Sequence, residues 1–271
     1  MPELPEVETT RCGIEPNIVG QTIERVVIRQ PRLRWPVPLQ LRKILPGMTI
    51  QQVSRRGKYL LLHTTAGTII MHLGMSGSLR ILSTDTSPEK HDHIDIVFTN
   101  HKVLRFRDPR RFGAMLWTED DPSLHPLLRS LGPEPLSRKF TGDYLFQRSR
   151  GRKVSIKTFI MDSKVVVGVG NIYANEALFR AGIRPTRRAE LISKGHYQDL
   201  VSSIKTVLKA AIKQGGTTLR DFTDGEGKPG YFRLSLQVYG RAGEPCKNCH
   251  GKIKQIRQGQ RATYYCPHCQ H

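Results

Sequence analysis

Cys246-Lys247-Asn248-Cys249 and, after a gap of sixteen residues, Cys266-Pro267-His268-Cys269 carry the strongest spacing signal in the chain. Two C-x2-C knuckles joined by a short hairpin are the pattern of a four-thiolate zinc ribbon. Four thiolates leave no open position for a substrate water, so the expected Zn2+ is structural. Such coordination supplies roughly 10 to 16 kcal/mol toward folding a small module that has little core of its own. His250, His268 and His271 lie nearby, but both cysteine pairs are complete without them. A redox-active C-x2-C is the alternative, and no thioredoxin-like βαβ context precedes either pair. Between the knuckles, Gln258-Gly259-Gln260-Arg261-Ala262-Thr263-Tyr264 reads as a hairpin turn with Arg261 at its tip, either a solvated charge or a bidentate phosphate contact. The fifth cysteine, Cys12, reads as a reduced, small core residue.

Outward from the ribbon, charge dominates. The 271 residues hold 43 Lys and Arg against 23 Asp and Glu, a net charge of +20. That balance points to a polyanionic partner, nucleic acid before an anionic membrane. Residues 147–271 contain 23 Lys and Arg and 8 Asp and Glu, a net of +15, which leaves +5 for residues 1–146. The second half is thus expected to supply most of the phosphate grip. No apolar run approaches membrane-spanning length, and the acidic amino terminus lacks the basic and hydrophobic regions of a signal peptide, so a cytosolic location is expected.

A chain of this length is expected to form more than one domain. Short β-rich runs recur at Thr22–Arg29, Thr49–Ser54, Lys58–His63, Thr68–His72, His93–Thr99, Val103–Arg107 and Ala114–Thr118, which suits a β-sandwich or barrel. The strand pattern stops in the Pro- and charge-rich stretch from Asp120 to Pro135, where a domain boundary is placed. Helical periodicity follows, clearest over Tyr197–Lys213, with Gly215-Gly216 ending it. Asn171 is expected to cap a helix over Ile172–Ala181. Residues 217–232, rich in Gly and Pro, read as a long loop with the makings of a lid.

At the other end, Pro2-Glu3-Leu4-Pro5-Glu6-Val7-Glu8 holds three carboxylates and no base. An acidic patch holds phosphate poorly, so chemistry is the better reading. With Met1 removed, Pro2 presents a secondary amine beside Glu3. An α-amino group titrates near roughly pH 7.7 to 8.0, well below a lysine. Condensed with an aldehyde carbon it gives only a cationic iminium, an electron sink suited to a deoxyribose C1′. The plain alternative is a stiff start to a solvated helix turn. Lys58 reads as a rim charge or an active-site amine. Met75 and Arg107-Asp108-Pro109-Arg110-Arg111-Phe112-Gly113 read as core and loop residues or as side chains able to wedge into a duplex.

Taken together, Pro2 to Glu8, Arg55–Leu61 around Lys58, His72 to Gly77, Asp108–Phe112, Val167–Tyr173 and the ribbon enclosing Gln260 to Thr263 make the whole chain resemble bacterial formamidopyrimidine-DNA glycosylases. The resemblance implies an α+β multidomain protein: a β-sandwich (1–132), a helix–two-turn–helix domain (133–240) and a zinc finger (241–271), with DNA between the halves. It implies excision of oxidised purines, 8-oxoguanine and formamidopyrimidines, followed by β,δ-elimination. The roles it assigns are Pro2 as Schiff-base nucleophile, Glu3 as acid/base, Lys58 as proton donor and Arg261 as donor for the second elimination. Arginine's high pKa makes it a poor donor, so Arg261 is read mainly as a phosphate clamp. His91, Arg110, Arg152, Lys157 and Asn171 match DNA-contacting positions, and Met75, Arg110 and Phe112 match the trio that fills the hole left by an everted nucleotide. One structural Zn2+ on Cys246, Cys249, Cys266 and Cys269, damaged double-stranded DNA as partner, a monomeric state and a cytoplasmic, nucleoid-associated location complete the expectation. The sister endonuclease VIII resembles the chain less, since it carries glycine where Leu4 stands. A non-catalytic DNA-binding protein explains the charge and cysteines but gives the acidic start no purpose. An RNA-binding ribbon protein would need an aromatic recognition motif that is not evident.

Overall fold

The computed structural model describes residues 2–216 and 236–271, which separate into two compact units, the first of residues 2–129 with 214–216 and the second of residues 130–213 with 236–271. The lid read into residues 217–232 lies outside the described residues.

The first unit opens with helix α1 (Leu4–Ile18). Pro5 stands in its first turn, where a missing N–H costs nothing. Its buried face runs through Leu4, Val7, Thr10, Ile14 and Ile18 at three- and four-residue spacing. Cys12 falls off that stripe and is exposed, with its Sγ 3.7 Å from Glu8 Oε1, so the core placement expected for it is wrong. Strands β1 (Ile23–Ile28), β2 (Ile50–Arg56), β3 (Tyr59–Thr64), β4 (Thr68–His72), β5 (Ser78–Ser83), β6 (Asp92–Phe98), β7 (Lys102–Arg107) and β8 (Ala114–Thr118) follow, with a short helix, α2 (Leu41–Ile44), after β1.

They form two antiparallel four-stranded sheets, ordered β1-β6-β7-β5 and β2-β3-β4-β8. Val26, Ile94, Leu104 and Phe106 from one sheet share a single core with Val53, Leu60, Ile69 and Met115 from the other and with Ile14 of α1, which is the sandwich the alternating runs imply. Seven of the eight strands coincide with sequence-read runs to within two residues, and β5 is the additional one. In the second sheet, Tyr59 pairs with His72 and His72 with Ala114, so one row of residues crosses β3, β4 and β8 at the same end.

The second unit is helical: α3 (Gly142–Ser149), α4 (Ile156–Met161), α5 (Asn171–Arg180) and α6 (Lys194–Lys213). Tyr197 is fully buried, in edge-to-face contact with Phe146 and Phe159, and its hydroxyl donates to Ala189 O at 2.9 Å. Helix α5 begins one residue earlier than expected, so Asn171 is its first helical residue and Gly170 its N-cap. The ribbon hairpin, β9 (Lys254–Gln258) and β10 (Arg261–Tyr265), closes the unit. Its small core of Val238, Cys246, Ile253 and Cys266 is completed by Phe179 of α5. Among the described residues, no helix is long and apolar enough to cross a membrane.

Candidate active site and nucleic-acid interface

Pro2 and Glu3 are buried immediately before α1. Glu3 is the N-cap, and its N–H donates to Glu6 Oε2 at 2.9 Å in a capping-box arrangement that anchors the start of the helix. Glu6 is fully buried, and a Cβ added at Gly216, where φ is +81°, would come within 3.0 Å of Glu6 Oε1. A side chain at 216 would strain this left-handed backbone and crowd the Glu6 carboxylate.

Lys58 stands in the two-residue turn Gly57-Lys58 between β2 and β3, not in the strand expected to begin with it. Gly57 has φ +59° as the first turn residue, the backbone that a tight hairpin with glycine in that place requires. This turn is fastened to α1: Arg55 Nε donates to Glu8 Oε2 at 2.8 Å and its Nη1 donates to Gly57 O at 2.9 Å. Burial raises the Glu8 carboxyl, but Arg11 and Arg55 outweigh it and hold the group below its ordinary range. Beside Lys58, burial first, then the Lys58 and Arg34 charges, depress His72 to about 4. The ring is therefore neutral at physiological pH. Its Nδ1 accepts from Gly74 N–H at 2.9 Å, so Nε2 carries the proton.

The loops 73–77 and 108–113 press backbone to backbone. A Cβ at Gly74 would lie 2.4 Å from Phe112 C, which explains glycine there. Met75 and Phe112 keep 40% and 42% of their surface exposed, and the Arg110 guanidinium lies 4.9 Å from the Phe112 ring centroid. His91, half-buried with φ 79°, is joined to the same loop through Asp108 N–H, which donates to His91 O at 3.1 Å.

In the second unit, Arg152, Lys157 and Arg261 line a pocket of about 330 Å3. Arg152 is paired loosely with Asp162 at 4.0 Å, and both are substantially exposed. Arg261 is exposed, but it opens β10 rather than occupying the hairpin tip. The tip is Gly259-Gln260, with φ of 51° and 64°, a two-residue turn with both central residues left-handed. The four cysteine sulfurs lie within 4.8 Å of one another, with Cys249 to Cys266 at 3.4 Å and Cys246 to Cys269 at 3.9 Å. A tetrahedron with metal–sulfur bonds of about 2.3 Å has edges of about 3.8 Å, so the donor set fits one zinc ion. Burial and the neighbouring sulfurs push the Cys269 thiol up, whereas backbone N–H groups of Cys249 and Asn248 overcome burial and bring Cys246 down to about 7.

Three family models account for this arrangement in chain order: the formamidopyrimidine-DNA glycosylase N-terminal domain matches residues 1–115, the H2TH domain of the same family matches 131–223, and a zinc finger found in FPG and IleRS matches 243–271. The chain belongs to the formamidopyrimidine-DNA glycosylase family. The formamidopyrimidine-DNA glycosylase of Nitrosococcus oceani is 59% identical over 271 residues, covering all of both chains. Lactococcus lactis Fpg bound to FAPY-dG-containing DNA is 36% identical with a TM-score of 0.91, covering 99% of this chain and all of that one. The same enzyme bound to abasic-site DNA superposes equally well, with 99% of each chain covered. A structural zinc and a DNA-binding role follow from membership in the formamidopyrimidine-DNA glycosylase family together with the cysteine geometry.

One residue stands differently from the contact role that family resemblance assigned. Lys157 is only 2% exposed, and its ammonium donates to Ala262 O at 3.0 Å and Thr263 Oγ1 at 2.6 Å. Asn171 Nδ2 donates to the same carbonyl at 3.0 Å, and Tyr264 N–H donates to Asn175 Oδ1 at 2.8 Å. Lys157, Asn171 and Asn175 thus hold β10, and with it Arg261, against α4 and α5. Replacement of Lys157 by Met is expected to destabilise the second unit by about 2–3 kcal/mol, because charge-assisted bonds are removed and buried acceptors remain; denaturant unfolding followed at the ribbon checks this, and an unchanged midpoint refutes it. Glu6, Glu8, Arg55, His72 and Asp108 were not singled out as site residues from sequence. Glu3 and Glu6 three apart are a legible capping box. The partners of Arg55 and Asp108 depend on the fold.

Proposed function

We propose that this chain is a bifunctional DNA glycosylase and AP lyase of base excision repair. It excises 8-oxoguanine and formamidopyrimidines from damaged double-stranded DNA and then cleaves the strand. The observation that carries the reading is the buried Pro2-Glu3 pair at the head of α1, with the Lys58 turn fastened to that helix through Glu8 and Arg55. A carboxyl group next to a terminal secondary amine can take up the proton that the amine releases. A lysine on a short rigid turn can return one to a leaving group.

In this reading the Pro2 nitrogen attacks C1′ of the damaged nucleotide. The C1′–N bond to the base breaks, with the base leaving protonated; the C1′–O4′ bond then opens as O4′ takes up a proton, and the ring-opened sugar is left joined to Pro2 as an iminium. Loss of a C2′ proton expels the 3′ phosphate, a second elimination expels the 5′ phosphate, and water releases the sugar remnant and regenerates the amine. Glu3 serves as acid/base and Lys58 as proton donor. Arg261 clamps a phosphate beside Arg152. His91, Arg110 and Asn171 contact the DNA, while Lys157 acts through the β10 hairpin. Eversion of a nucleotide costs a few kcal/mol, offset when Met75, Arg110 and Phe112 fill the vacated stack. In this reading its domains are 1–132, 133–240 and 241–271, and it acts as a monomer on the nucleoid in the cytoplasm.

The test is borohydride trapping on a duplex containing one 8-oxoguanine opposite cytosine, with mass mapping of the adduct. An adduct on Pro2 is expected. One on Lys58 would keep the reaction class and overturn the residue assignment, while absence of any adduct would favour a binding protein.

A further inference from the structure

Arg110 and Phe112 flank Arg111, a left-handed non-glycine residue at φ 56°, and the backbone bonded to their loop carries a second, His91 at φ 79°. Such backbone persists only where the surroundings over-determine it. One residue does so here. Asp108 is fully buried, and both of its carboxylate oxygens are engaged: Oδ1 accepts from Ser76 Oγ at 2.9 Å and Arg110 N–H at 3.3 Å, and Oδ2 accepts from Gly113 N–H at 2.7 Å. Its own N–H donates to His91 O, its carbonyl accepts from Arg111 N–H, both at 3.1 Å, and the same carbonyl lies 2.8 Å from His93 Nε2. Every residue of the trio is therefore itself bonded to Asp108 or next in sequence to one that is.

We propose that Asp108 is the positioning residue of the void-filling trio: its buried carboxylate locks the Met75 loop to the Arg110–Phe112 loop so that the three side chains enter the duplex as a preformed unit. The role rests on the eversion reading proposed for the enzyme. A carboxylate suits the task because all its donors approach an acceptor-only group. An asparagine serves one side only, since its amide NH2 would face either the Gly113 N–H or the Ser76 and Arg110 donors. Ordering the wedge before it meets DNA removes that cost from the eversion step.

The experiment compares two single-turnover rates for wild type, Asp108→Asn and Ser76→Ala. One is base excision from a duplex carrying 8-oxoguanine opposite cytosine. The other is borohydride-trapped adduct formation on a single-stranded abasic oligonucleotide, where no nucleotide need leave a stack. The ratio of the first rate to the second is expected to fall roughly 10- to 100-fold in Asp108→Asn, the penalty that an ångström-scale misplacement brings. Ser76→Ala, which removes one donor and keeps the carboxylate, is expected to lower the ratio in the same direction by less. A ratio unchanged in both variants, or two rates that decline together, would overturn the proposal. A wild-type protein that traps on neither substrate would sink the functional reading and the positioning role with it.

Discussion

A protein carrying one verified residue ahead of Pro2 forms no trapped adduct on abasic DNA, a loss of at least about 10³-fold, in the range that removal of a nucleophile produces. An added residue turns the Pro2 nitrogen into a tertiary amide, whose lone pair is committed to the peptide bond and cannot attack C1′. Pro2 and Glu3 are both buried and the Glu3 N–H is held by Glu6, which fixes the start of the helix. Replacing Pro2 by Gly makes the complementary case. A terminal primary amine still condenses with the sugar, but the product is an imine that must be protonated before it withdraws electrons, so trapping persists at lower yield. Affinity for a lesion duplex should survive both changes, because neither touches the basic second unit. Full lyase activity in the extended protein, its extra residue confirmed by mass, would remove Pro2 from the mechanism.

Loss of the metal is the second large effect. Replacing Cys266 by Ser, or stripping zinc with a chelator, should abolish specific DNA binding while the sandwich keeps its β signature in circular dichroism. Two of the four ribbon residues in its hydrophobic cluster, Cys246 and Cys266, are themselves metal ligands, and Val238 and Ile253 with Phe179 are too few to fold a hairpin unaided, whereas coordination contributes roughly 10 to 16 kcal/mol. Without it, β10 leaves Lys157, Asn171 and Asn175, and Arg261 is no longer presented at a defined place. Binding that remains is the sequence-independent kind carried by the net charge, with a salt dependence shallower by about 0.9 in log–log slope for each phosphate that the protein no longer neutralises. Normal lesion affinity in protein shown to contain no zinc would contradict this account.

These effects differ in how far they can be traced to the chain as written. Thiolate spacing is dictated by the metal, so Cys246 to Cys269 could be read without any fold. Most strands announced themselves through β-branched runs between turns. Ser78–Ser83 did not, because Ile81-Leu82 breaks its alternation and it opens straight after Gly77. Cys12 was misplaced because its facing depends on the phase of α1, set by Leu4, Val7 and Ile14. The burial of Lys157, which the resemblance gives as a DNA contact, is not legible locally, because its acceptors lie more than a hundred residues away in Ala262 and Thr263. Asp108 was visible as part of a motif, but its tie to Ser76 needs β4, β7 and β8 in register.

The row Tyr59, His72, Ala114 carries a last consequence. Lys58 precedes its first member, the Met75 loop leaves from its second and Phe112-Gly113 lead into its third. Strands repeat at about 4.8 Å, so the sheet works as a ruler that sets the Lys58 turn roughly 10 Å, two strand spacings, from the strand that follows Phe112. Substitutions can therefore reshape the Met75 and Phe112 loops while the paired strands keep the Lys58 turn at its distance from them.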